Sequence, residues 1–291
     1  MSDCRIPLLS LGIKTKLAQP DLETSIAQGS NNSSPTPTSA VPFAFTDHVK
    51  RFMQDHLRHI LAKGNVDAYT RTMSIVDSAP IRRTPLLLLK AHVQSQDPLF
   101  HRDYLPPGYP TDIGASCKVV ELMKRLLKSE KGLLRNLLLT NIRAQKDRLI
   151  SGAVPCLDDL VVCIDRYMAA RKQLRAVEVI LRSYPSTTRT RLAFLRLYIV
   201  DHLIHRDPAD NTSHWELVDQ QLEYVRGQSK LYRIAYGRVV KAIDWELFGQ
   251  KRKFEEIPHN DIRVPTEDDV QEQIALMSAG GGSVPLENAF N

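Results

Sequence analysis

The sequence predicts an all-α protein, an irregular multi-helix bundle of about eight helices with disordered N- and C-terminal tails. Three observations carry this. Apolar residues recur at steps of three and four through most of the chain, the spacing of a helix face. Alternating apolar and polar runs bounded by turn dipeptides are absent. Between Thr111 and Ile257 the only prolines are Pro155, Pro185 and Pro208, each in a gap between apolar periodic segments. A proline inside a helix costs about 3 kcal/mol, so that placement respects the helices.

Residues 1–41 read as a disordered or weakly structured tail, because "AQPDLETSIAQGSNNSSPTPTSA" has too little apolar surface to offset the entropy of ordering. Residues 42–277 form the predicted helical domain. Residues 278–291, "SAGGGSVPLENAFN", read as a second disordered tail, since consecutive glycines do not hold regular structure.

The first predicted helix opens at Thr46, a natural N-cap, and closes at Gly64, with Val49, Phe52, Met53, Leu57, Ile60 and Leu61 on one stripe. Val66 to Asp77 follows by the same spacing. Thr84 caps the next helix, Pro85 to Gln96, with proline in the first turn where its missing N–H is harmless. The segment "SQDPLFHRDYLPPGYPTD" then reads as a proline-rich loop, a functional surface or a strap over the core. Thr111 to Lys128, Glu130 to Ile150, Leu157 to Arg182 and Thr187 to Ile204 complete the middle. The last predicted helix, His214 to Leu247, starts at a capping box formed by Ser213 and Glu216.

Composition excludes several classes. No run of about 18–20 apolar residues is present, so no membrane span is expected. The four cysteines show neither metal spacing nor a disulfide framework, which suits a reducing interior, cytoplasm or nucleus. Asp3 and Pro7 argue against a targeting segment at the start. "GQKRKFEE" holds a basic triplet, Lys251-Arg252-Lys253, that reads as a weak nuclear-import signal or as a favourable helix end.

No catalytic or cofactor motif is expected. Two His-Arg-Asp triplets, His101 to Asp103 and His205 to Asp207, lack the glycine loop, strand lysine and Asp-Phe-Gly that phosphotransfer would need. Histidines three apart, His56 with His59 and His202 with His205, the second beside Asp201, share helix faces, but a carboxylate-plus-histidine pattern is not present on enough helices, so no metal is assigned. The chain therefore reads as a non-catalytic helical interaction or scaffold protein.

Two surfaces are candidates for binding. Trp215, Val218, Leu222, Val225, Tyr232, Tyr236, Val239 and Ile243 fall at alternating steps of three and four along the last helix, a seam for a protein partner or for self-association. The second is electrostatic. Residues 118–196 hold 17 Lys/Arg against 7 Asp/Glu, whereas residues 201–291 hold 10 against 16. Lys124, Lys128, Lys131 and Arg135 lie on one helical stripe if the helix runs through Gly132, and Arg143, Lys146, Arg171, Lys172 and Arg175 extend the positive field. Such a face would hold an acidic partner or a nucleic-acid backbone by neutralising phosphates. Tyr167 alone supplies aromatic character there, so base stacking is not expected.

Overall fold

The structure is a computed structural model that describes residues 43–63, 65–144, 150–168, 175–279 and 289–290. Among these residues all regular structure is helical, and the one extended pairing is an isolated bridge between Met73 and Pro80. Ten α-helices are described: α1 Asp47–Lys63, α2 Pro85–Gln94, α3 Pro98–Tyr104, α4 Ile113–Leu138, α5 Leu157–Met168, α6 Val177–Arg182, α7 Ser186–His205, α8 His214–Gly227, α9 Lys230–Phe248 and α10 Glu267–Ala279. None is long and apolar enough to cross a membrane.

The bundle is organised around α7. Its residues from Thr190 to Val200 are all buried, so this helix has no solvent face over three turns. A helix enclosed on every side must sit between others, and α1, α4, α5, α8 and α9 all pack on it. Two arginines are trapped there as a result. Arg196 is fully enclosed and grips Asp244 of α9 in a fork, Nε at 2.8 Å and Nη2 at 2.5 Å, while Nη1 donates to the Pro155 carbonyl at 2.6 Å. Arg191 lies over the Phe290 ring and donates to the Ala289 carbonyl at 3.0 Å. Buried guanidinium groups persist only when paired in this way.

Several expected elements differ from those observed. The helices expected at Thr111 to Lys128 and Glu130 to Ile150 are one helix, α4, continuous through Gly132 to Leu138. Ser129 does not cap a new start, because Glu130 beside it is buried and clamped to α1 by Arg58 Nε at 2.8 Å and Gln54 Nε2 at 3.0 Å. Val66 to Asp77 is not helical. Its backbone N–H groups are taken by two carboxylates one turn apart on α8: Asp219 accepts from Tyr69, Thr70 and Arg71 at 2.5, 2.7 and 2.9 Å, and Glu223 accepts from Ile75 at 2.8 Å. The segment is a strap held across α8. Leu157 to Arg182 divides into α5 and α6, with residues 169–174 outside the described residues. Within the expected proline-rich loop, Asp97 caps the short helix α3 by accepting from Phe100 N at 2.7 Å.

The predicted long helix from His214 also divides. It ends at Gly227, Gln228 is extended, and Ser229 caps a new helix by accepting from Tyr232 N at 3.2 Å. Arg233 secures the break by donating to the Arg226 and Gln228 carbonyls at 3.2 and 3.0 Å. The turn lets both halves fold inward, so the seam faces the interior. Trp215, Val218, Leu222, Val225, Tyr232, Tyr236, Val239 and Ile243 are each 0–7% exposed. They are core residues and not a partner surface, which corrects the sequence expectation.

The C-terminal segment carries two further corrections. α10, not expected as a helix, begins at a Thr266/Asp269 capping box and packs along α9, with Glu267 accepting from the Tyr232 hydroxyl at 2.7 Å. It extends through Ser278 and Ala279, inside the expected tail. Phe290 is fully buried with its ring centroid 5.4 Å from those of both Phe194 and Tyr236, so this part of residues 278–291 belongs to the core. The expected N-terminal tail, 1–41, and residues 280–288 lie outside the described residues.

A cationic cleft as candidate functional site

Between the C-terminal ends of α4 and α7 and the first residue of α8 lies an open cleft of about 490 Å³. α4 contributes Arg135, with Leu139 just beyond it, and the following turn contributes Arg143. α7 contributes Ile199, His202 and Leu203, and the connection to α8 brings Arg206 and Pro208. His214, the first residue of α8, closes the far side. The lining thus combines three guanidinium groups and two imidazoles with an apolar wall.

Local geometry holds these groups in place. The His202 and His214 ring centroids are 5.7 Å apart, and His214 also rests 5.3 Å from the Trp215 ring. Arg206 is steered by its Nε donating to the Asp210 carbonyl at 3.0 Å. Acidic side chains stand close by, in the loop and on α7: Asp210 accepts from Thr212 N at 2.7 Å, Asp207 from Ala209 N at 2.8 Å, and Asp201 of α7 pairs with His205 at 3.0 Å. They keep their charge, but none belongs to the lining, whose permanent charges are the three arginines.

Two nitrogens of the lining have no hydrogen-bond partner although both are buried, Arg135 Nε and His214 Nε2. Such a group costs roughly 1–3 kcal/mol when left unmade, and five more among the described residues share the condition, Arg233 Nε and Arg252 Nε included. Burial, then the Arg135, His202 and Lys131 charges, hold His214 down at about 4, and burial with Arg206 lowers His202 against the opposing Asp210 and Asp201 carboxylates. Near neutral pH the two rings are uncharged and the permanent positive charge comes from the arginines.

The stripe expected along α4 is continuous, yet its members have different fates. Lys124 and Lys128 are exposed. Lys131 is not available, because its ammonium donates to Thr70 Oγ1 at 2.8 Å and the Tyr69 carbonyl at 3.4 Å while lying 5.5 Å from the Trp215 ring centroid. It fastens the strap, which corrects its assignment to a binding face. Arg175 is likewise committed, to the buried Asp165 carboxylate. Lys146, Arg171 and Lys172 lie outside the described residues. Of the six basic candidates among the described residues, Arg135 and Arg143 are the pair that reaches the cleft.

Their companions were not legible as a group. His202 stood out only as a member of the His202/His205 pair, which the structure separates: His202 faces the cleft while His205 bonds back to Asp201. Arg206 and His214 lie more than 60 residues from Arg135, and no local signal connects them. In the other pair, His56 stacks on His92 of α2 at 3.6 Å. Among the described residues, no three His, Cys, Asp or Glu side chains converge as a metal site. No protein-family model, curated protein or solved structure matches the chain.

Proposed function

We propose that the protein is a non-catalytic helical interaction protein that holds its partner by an anionic group in the cleft between α4, α7 and α8. The observation that carries this reading is the lining itself, in which three arginines and two histidines meet an apolar wall with no carboxylate among them. The proposal keeps the chain in the cytoplasm or nucleus, consistent with Cys117, Cys156 and Cys163 standing outside any disulfide.

A second reading is a nucleic-acid backbone, favoured by exposed Lys124, Arg125 and Lys128 on the outer part of the same helix. Fluorescence anisotropy separates the two. Titration of labelled poly-glutamate peptide and of labelled oligonucleotides, each at about 50 and 200 mM salt, compares wild type with Arg135→Met and with Lys124→Ala/Lys128→Ala. Peptide binding that is lost in Arg135→Met supports the cleft. Oligonucleotide binding with a steep salt slope, lost in the double lysine variant, supports the second reading; binding of neither overturns both.

A further inference from the structure

Resting on the reading of this cleft as the anion site, we infer that its ligand is a small organic phosphate monoester, a phosphoryl group carried on an apolar or aromatic body. Three features of the cleft lead there: its charge, its donors and its unfilled volume.

Charge comes first. Arg135, Arg143 and Arg206 cannot be deprotonated near neutral pH and line the cleft, whereas the neighbouring Asp201, Asp207 and Asp210 keep their charge outside the lining. A carboxylate brings one negative charge and two oxygens. A phosphate monoester brings about −1.5 to −2 and three acceptor oxygens, which suits several guanidinium groups around one point.

An ordinary explanation for these cations has to be weighed. Basic side chains favour helix C-termini, where they meet the partial negative charge of the last carbonyls, and Arg135 and His202 sit at such ends. A cation serving the helix end donates to those carbonyls or stays in water. Arg135 donates through Nη2 to Asn136 Oδ1 at 3.2 Å and to none of the last carbonyls, and the His214 ring that shares the cleft begins a helix and does not end one. The first turn of α8, whose end Ser213 caps, adds partial positive charge on that side.

Volume then sets the size of the ligand. Water takes about 30 Å³ in the liquid, so an inorganic phosphate of a few water volumes leaves most of a 490 Å³ cleft unfilled. The remaining wall is Leu139, Ile199, Leu203 and Pro208. Clefts of this size with a few polar groups on an apolar lining hold whole small molecules. The phosphoryl group lies against the arginines and the body of the ligand lies on that wall.

Isothermal titration calorimetry of the full chain tests this with four probes: phenyl phosphate, adenosine 5′-monophosphate, inorganic phosphate and benzoate. The expected result is that at least one of the two monoesters binds about tenfold or more tightly than both inorganic phosphate and benzoate. Loss of one charge-assisted hydrogen bond is worth about tenfold in affinity, so Arg135→Met weakens that binding by about that factor. Arg143→Met, at an exposed position that the fold does not need, weakens it in the same direction and serves if Arg135→Met does not fold. Benzoate binding as well as the monoesters overturns the phosphate assignment. Inorganic phosphate binding equally well overturns the organic body, and binding indifferent to both arginine variants places the ligand elsewhere. Silence from all four probes, with poly-glutamate still held through Arg135, removes this inference and leaves the proposed function; silence with no anion held at all removes both.

Discussion

Asp244→Ala tests the strongest electrostatic commitment in the fold. Arg196 has no exposed surface, and its guanidinium is tied to the Asp244 carboxylate twice, at 2.8 and 2.5 Å, to the Pro155 carbonyl at 2.6 Å, and lies 4.4 Å from the Phe248 ring centroid. Truncation removes both carboxylate contacts and leaves an enclosed cation with no counter-charge. Two hydrogen bonds to a charged group contribute roughly 3–6 kcal/mol, and removing one partner of a buried pair costs about 3–5 kcal/mol, so the two routes agree on about 4 kcal/mol. A domain of this size loses about 2–4 °C of melting temperature per kcal/mol, hence roughly 8–16 °C. Replacing both partners, Arg196→Met with Asp244→Leu, removes the desolvation of two ions together with their attraction, and is expected within about 2 kcal/mol of wild type. Urea denaturation followed by circular dichroism, run as a double-mutant cycle, gives both numbers. A loss below about 1 kcal/mol in Asp244→Ala, or a double variant as unstable as the single one, would refute the reasoning.

Three further outcomes are expected. Asp219→Ala leaves the Tyr69, Thr70 and Arg71 N–H groups without their acceptor, which costs about 3–5 kcal/mol, and hydrogen exchange should speed first in residues 66–77; unchanged exchange there would show that the strap is held otherwise. His56 is held at about 4 by burial and by His92 and His59, and His214 at about 4, against an ordinary 6.5. Both groups are neutral in the fold while the unfolded chain takes up protons below 6.5, so stability is full above that pH, falls between 6.5 and about 4, and levels off below. Solvent contact discounts each to about 1 kcal/mol, and a His56→Gln/His214→Gln variant should lose that part of the pH slope in denaturant titrations. Arg135→Met removes an unpartnered buried nitrogen together with the Nη2 bond to Asn136 Oδ1 at 3.2 Å, two opposing effects, so stability in denaturant titrations should stay within about 1 kcal/mol of wild type while anion binding falls; a loss of more than about 2 kcal/mol would mean the side chain is structural.

The cleft and the core were legible to different degrees, and the reason is the range of the forces involved. Helix identity follows from short-range patterns: the stripe of α1, Thr84 before Pro85 and the Ser213/Glu216 box each act within one turn, and all mark helices that the structure contains. The Thr266/Asp269 box of α10 and the Ser229 cap of α9 were equally local, though masked by a periodic apolar count that ran straight across Ser229. The strap of residues 66–77 is another matter. Its apolar spacing imitates a helix, but its N–H groups go to Asp219 and Glu223 about 150 residues away, and no window of sequence contains that exchange.

By itself, the sequence determined the helical class, the prolines at the gaps and the excess of basic residues between 118 and 196, because propensity, capping and net charge act within a turn or by simple addition. Tertiary packing decided which faces remain for function. It turned the Trp215 to Ile243 seam inward, committed Lys131 to Thr70 and Arg175 to Asp165, and brought Arg135 and Arg143 to His202, Arg206 and His214. A charged side chain is a binding group only if no partner inside its own fold has already claimed it, and that depends on which distant carboxylates the folded chain places beside it.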